Sequence, residues 1–214
     1  MKKQNVRHDS ITSKILTVLY PDKQFTCQEI CDNLPTNNDS VKRTIRLMLK
    51  PNIGYIKTSE RNPSRNRVYF LTQQGRWFAI SSILNVSFLS LCMLSDIYVV
   101  QRTMNETGKN GFYPVVRMME LIENATTKRS MYSKRYLQKN LRHLTNQNIV
   151  KRLQKNIVSI HPHVFTLLQN YDHDLTNIQR WFYSTIDGLG VMEKRAEIQA
   201  RFQNEHEFPP LIFA

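Results

Sequence analysis

Residues 26–76 read TCQEICDNLPTNNDSVKRTIRLMLKPNIGYIKTSERNPSRNRVYFLTQQGR, and this stretch decides the fold. Thr26 and Glu29 have the spacing of a capping box, so a short helix is expected from there to about Leu34. Pro35 and Asn37-Asn38 make a turn. Asp39 or Ser40 is the expected cap of a helix running to about Lys50, where Pro51 stops it. Tyr55-Ile56-Lys57-Thr58 and Val68-Tyr69-Phe70-Leu71 read as two strands joined by a polar loop over 60–67. Upstream, Ile11, Ile15, Val18 and Leu19 mark one face of a helix over 10–20, ended by Pro21. The order is helix, helix, helix, hairpin.

The third of these helices has two unlike sides. Val41, Ile45, Met48 and Leu49 form an apolar back. Lys42, Arg46 and Lys50 recur at i, i+4 and i+8 and form a cationic front, joined by Ser40, Arg43 and Thr44. A solvated helix face usually mixes acids with bases, whereas this one carries a single sign. Arg61, Arg65 and Arg67 stand in the loop between the strands, where guanidinium groups would reach phosphates or an adjacent minor groove. These residues are the expected duplex DNA contacts of the first half.

Residues 10–80 resemble the winged helix-turn-helix domains of archaeal and bacterial transcription regulators. The resemblance is carried by the second helix Thr-Cys-Gln-Glu-Ile-Cys, the third helix Ser-Val-Lys-Arg-Thr-Ile-Arg-Leu-Met-Leu-Lys, and the ending Tyr69-x-Leu71-Thr72-x-x-Gly75. It covers about a third of the chain. It implies a third helix lying in the major groove, with Lys42, Arg43 and Arg46 at positions that commonly face DNA.

The rest of the 214-residue chain supports a polyanionic partner. Net charge is +13, and it is unevenly placed. Residues 1–76 hold net +8, 77–110 net zero, 111–160 net +8 and 161–214 net −3. The second basic block follows a similar order of elements. Val115, Met118, Met119 and Ile122 suit a helix begun by Pro114, and 126–132 form a short polar segment. Ser133 caps a helix backed by Leu137, Leu141 and Leu144. On its front stand Arg135, Lys139 and Arg142, with Lys134, Gln138 and His143 beside them. Lys151, Arg152 and Lys155 fall on a hairpin after it, and 164–186 look helical.

The expected class is therefore mainly α with small β-hairpin wings, an α+β chain. Its domains are a winged helix over 1–76, an apolar helix and linker over 77–110, a second winged-helix-like half over 111–186 and an acidic tail over 187–214. The apolar stretch 77–95 has no charged residue, but five serines and Asn85 interrupt it. It reads as a buried helix, or as a homodimer seam through 77–100, rather than a membrane span. Three cysteines and a polar N-terminus suggest a cytoplasmic chain without a disulfide framework.

Catalytic and metal readings are weak. Cys27 and Cys31 share a helical turn but have no nearby histidine to complete a tetrahedral set. His161 and His163 bracket Pro162, and Asp172, His173 and Asp174 read as a loop. No glycine-rich phosphate cradle or nucleophile motif occurs. No enzyme, cofactor or metal is expected. The expected function is sequence-specific binding of double-stranded DNA by a transcription regulator. A plasmid- or virus-type replication initiator with tandem winged helices, or an RNA-binding protein, would also use this charge.

Overall fold

A computed structural model describes residues 10–59, 67–107, 113–114, 134–154 and 157–186. The chain divides into two compact units, Met1–Phe88 and Leu89–Ala214. Each is mainly helical with a small antiparallel sheet.

The first unit begins with α1 (Ile11–Leu19), capped by the Ser10 side chain, which accepts from the Ser13 N–H at 3.2 Å. Strand β1 (Phe25–Thr26) runs into α2 (Cys27–Asp32). The capping box is present: the Glu29 N–H donates to the Thr26 hydroxyl, and the Thr26 N–H donates to Glu29 Oε2 at 2.7 Å. Helix α3 (Asn38–Met48) is capped by Asn37 rather than by Asp39 or Ser40. The Asn37 Oδ1 accepts from the Asp39 and Ser40 amides, so the helix starts earlier than expected and leaves Asp39 in its first turn. An acid there complements the helix dipole.

Strands β2 (Ile56–Thr58) and β3 (Val68–Leu71) then pair antiparallel, Ile56 opposite Leu71 and Thr58 opposite Tyr69. On its other edge β3 pairs with β1, Phe25 opposite Tyr69, which gives the order β1-β3-β2. Helix α4 (Gln73–Ile83) follows, its N-cap Thr72 accepting from the Gly75 N–H. Ile15, Leu16, Leu19, Ile30, Val41, Ile45, Met48, Ile56 and Leu71 form one core, and Phe78 of α4 lies 4.7 Å from the Tyr55 ring. The first unit thus runs past residue 76, because α4 is part of its packing.

The Glu29 carboxyl is held below its ordinary value of 4.5 by the Thr26 N–H and then by the Thr26 hydroxyl. A lowered folded-state pKa contributes stability above the unfolded value, and that contribution is lost as pH falls through the folded one. Thermal melts of the parent and Glu29→Ala should therefore differ most near neutral pH and converge in acid. An unchanged gap across that range would remove the carboxylate from the cap.

The second unit opens with α5 (Phe88–Glu106), whose first residue ends the first unit. The apolar run is thus two helices and not one over 77–100. Helix α4 ends on a Schellman motif, with Asn85 at a φ of 52°, its N–H donating to Ser82 O and the Val86 N–H to Ser81 O. Helix α5, running to Glu106, also takes in part of the linker expected within 77–110. Strand β4 (Tyr113–Pro114) pairs with the later strand Ile157–Ile160, so Pro114 lies in an edge strand and does not start a helix. An edge position suits it, since proline has no N–H to donate. The expected elements at 115–133, including the Ser133 cap, lie outside the described residues.

Helix α6 (Lys134–Asn146), β5 (Val150–Gln154) and β6 (Ile157–Ile160) follow, and the sheet order is β4-β6-β5. The expected 164–186 helix is two, α7 (Pro162–Gln169) and α8 (Asp172–Ile186). Asp172 and Asp174 occupy the first turn of α8 and not a loop, again with acids at a helix N-terminus. The interior contains satisfied polar groups. Gln101 donates to the Ser159 hydroxyl and accepts from the Ile160 N–H at 2.8 Å, and buried Asp96 accepts from Gln179 at 2.8 Å. Among the described residues, no single helix is long and apolar enough to cross a membrane.

Candidate nucleic-acid interface

Helix α3 owes its orientation to its back. Val41, Ile45 and Met48 are sealed in the core, which turns Lys42, Arg43, Arg46 and Lys50 outward, and all four are exposed. The described ion pairs are Arg76 with Asp22, and Arg102 with Glu106 and with Asp172; none involves a cation of α3. Like charges at i, i+4 such as Lys42–Arg46 cost roughly 0.2–0.5 kcal/mol in an isolated helix, whereas Lys50 lies beyond the C-cap Leu49. Exposed Asp39 stands one turn before Lys42 and Arg43, but no described ion pair joins it to them.

Two other expected contacts are placed differently. Thr44 is half-buried and its hydroxyl donates to Ser40 O at 2.8 Å, so it belongs to the flank of the helix rather than its front. Ser40 is half-buried at the same flank, its amide taken by the Asn37 cap. Sequence reading passed over Leu47, which is 42% exposed beside the cations. It counted as helix filling, although its i+4 spacing from Arg43 puts it near the front.

Arg67 is exposed at the start of β3, and Lys57 is exposed on β2 with Ile56 turned into the core. Lys57 was legible only as a strand residue, because a three-residue strand is too short to display alternation. Arg61 and Arg65 lie outside the described residues. Tyr69 packs against the core that α3 helps to form; burial pushes its phenol above the usual range and the Cys27 thiol adds to this, while the charges of Arg67 and Arg46 pull the other way.

In the second unit, Leu137, Leu141 and Leu144 are buried behind α6. Arg135, Gln138, Lys139, Arg142 and His143 are exposed, as are Lys151 and Arg152 on β5. The Lys134 side chain lies outside the described residues. Buried Asn140 accepts from the Ser90 hydroxyl at 2.9 Å and helps hold α6 against α5. Of residues 77–100, Ile83 is the large apolar side chain left exposed; Leu91, Met93, Leu94 and Ile97 of the expected dimer seam are fully covered within the chain.

Cys31 and Cys92 are buried, and burial is the main reason both are held above the usual thiol range. No protein-family model, curated protein or solved structure matches this chain.

Proposed function

We propose that this protein is a transcription regulator of the winged-helix type that binds double-stranded DNA sequence-specifically, with α3 in the major groove and the β2–β3 hairpin against the backbone. One observation carries the reading. Lys42, Arg43 and Arg46 of α3, with Lys50 just past its end, are exposed and outside every described ion pair, on a helix locked by an apolar back. An α-helix fits the major groove, and arginine or lysine there can pair with guanine O6 and N7. Lys57 and Arg67 are placed to neutralise phosphates. The three free thiols, two of them buried, suit a reducing cytoplasm. The covered apolar residues of α5 favour a single chain as the binding species over pairing through 77–100.

The test is fluorescence anisotropy of the full chain on duplex DNA, the same sequence as a single strand, and an RNA hairpin. The duplex should bind tightest. If six to ten phosphates are neutralised, its affinity should fall about 10³–10⁵-fold between about 50 and 200 mM salt. Tighter binding to single strands or RNA, or affinity indifferent to salt, would overturn the proposal.

A further inference from the structure

The two units repeat one another element by element. Both run helix, edge strand, basic helix (after α2 in the first unit), two strands, helix, and both sheets place the first strand beside the third and the third beside the second. Tyr113 stands opposite Val158 as Phe25 stands opposite Tyr69, and Val150 opposite Ile160 as Ile56 opposite Leu71. Two long backbone bonds recur in register. The Tyr55 N–H donates to Met48 O and the Ile149 N–H to Leu144 O; the Thr72 N–H donates to Tyr55 O and the His161 N–H to Ile149 O. The residue before each of those amides, Gly54 or Asn148, has a positive φ of 59° or 55°. Helix α5 is thus the counterpart of α1. The region where a counterpart of α2 would fall is 115–133, outside the described residues.

This register equates Val41, Ile45 and Met48 with Leu137, Leu141 and Leu144, and so equates the two outward faces. Arg46 corresponds to Arg142, Arg43 to Lys139 and, on the strands, Lys57 to Lys151; all six are exposed. Other front positions change chemistry. Lys42 becomes Gln138, Leu47 becomes His143, Lys50 becomes Asn146 and Asp39 becomes Arg135. The equated cations suit the phosphates and guanines that any duplex offers. The altered positions discriminate: lysine favours guanine, glutamine pairs with adenine N6 and N7, and an aliphatic side chain meets a thymine methyl.

We infer that the two units are unequal reading heads of one chain, and that its target is a duplex carrying two dissimilar half-sites rather than a palindrome or a repeated word. The inference rests on the DNA-binding reading and adds the kind of site bound. Identical half-sites cannot suit both heads, because each wrong base pair costs roughly 5- to 150-fold in affinity.

Selection of bound duplexes from a random pool tests this, with the full-length chain and two variants, Arg43→Ala/Arg46→Ala and Lys139→Ala/Arg142→Ala. The parent should enrich a site with two different blocks, and each variant should keep one block and lose the other. The exchange Gln138→Lys with His143→Leu should shift the second block toward the first. All of these side chains are exposed, so thermal melts should stay close to the parent; if Lys139→Ala/Arg142→Ala unfolds, the exchange variant decides. A palindrome, a tandem repeat of one word, or two blocks that survive the α6 variants would overturn the inference while leaving duplex binding standing. A parent that enriches nothing and shows no preference for duplex would overturn both.

Discussion

Replacing Arg43 and Arg46 together by alanine is expected to weaken binding to the selected duplex by roughly 30- to 10⁴-fold without unfolding the protein. Both side chains are exposed on α3 and neither joins a described ion pair, so the fold has little to lose. Surface substitutions of this kind usually stay within about 0.5 kcal/mol. Removing Arg46 also relieves its repulsion with Lys42, so the melting temperature should hold or rise slightly. Binding is different. A bidentate base contact is worth about 1–3 kcal/mol, so two such losses amount to about 2–6 kcal/mol, or roughly 30- to 10⁴-fold. Anisotropy titration on the selected duplex and on a scrambled one separates the two effects. The selected site should lose its advantage, while scrambled DNA should lose only a part proportional to charge. Retention of that advantage by the double variant would take α3 out of recognition.

The second large effect falls far from the cationic face. Gly75→Ala should destabilise the first unit by about 3–5 kcal/mol, combining an overpacking cost with disrupted hydrogen bonds. A Cβ built at Gly75 would lie 2.0 Å from the Tyr55 carbonyl oxygen and 2.9 Å from its carbon. Backbone atoms cannot swing aside as a flexible side chain can. The first turn of α4 is pinned there by three bonds: the Thr72 N–H donates to Tyr55 O at 3.0 Å, and the Thr72 hydroxyl donates to Gly54 O at 2.7 Å and reaches Tyr55 O at 3.2 Å. An added methyl therefore pushes α4 off the β2 end of the sheet, or breaks those bonds. A drop in melting temperature on the order of 15 °C is expected in a thermal scan of the full chain. A variant melting within about 3 °C of the parent would show that the close approach is not maintained in solution.

The Gly75 result explains part of what was legible from residues alone. The pattern Thr72-x-x-Gly75 after a strand could be read as the end of a hairpin, but only the fold supplies its reason: a strand carbonyl passes under the helix start. The helix backs were open to reading, since Val41, Ile45 and Met48, or Leu137, Leu141 and Leu144, repeat at the helical period and all six are buried. The Thr26–Glu29 box was equally local. The cap of α3 was misplaced because Asn37, Asp39 and Ser40 are all good caps. Which one serves depends on where the preceding turn delivers the chain.

The second unit was less legible at its start. Its first helix begins in the uncharged run, where apolar residues on every side erase periodicity, and its first strand is two residues long and contains Pro114. A frame begun at Pro114 thus mistook the edge strand for a helix start and left α5 as a connector. Asn85 was the available signal, an asparagine suited to a left-handed helix end.

Residue order alone determined the amphipathic helices, the position of the hairpins and the cationic fronts of α3 and α6. Those follow from side-chain periodicity and composition, which act over a few residues. Tertiary structure decided where the uncharged run divides, that α5 opens a second unit, and which residues of one basic helix match those of the other. Strand pairing and helix packing join positions tens of residues apart, and no local pattern encodes which of them meet.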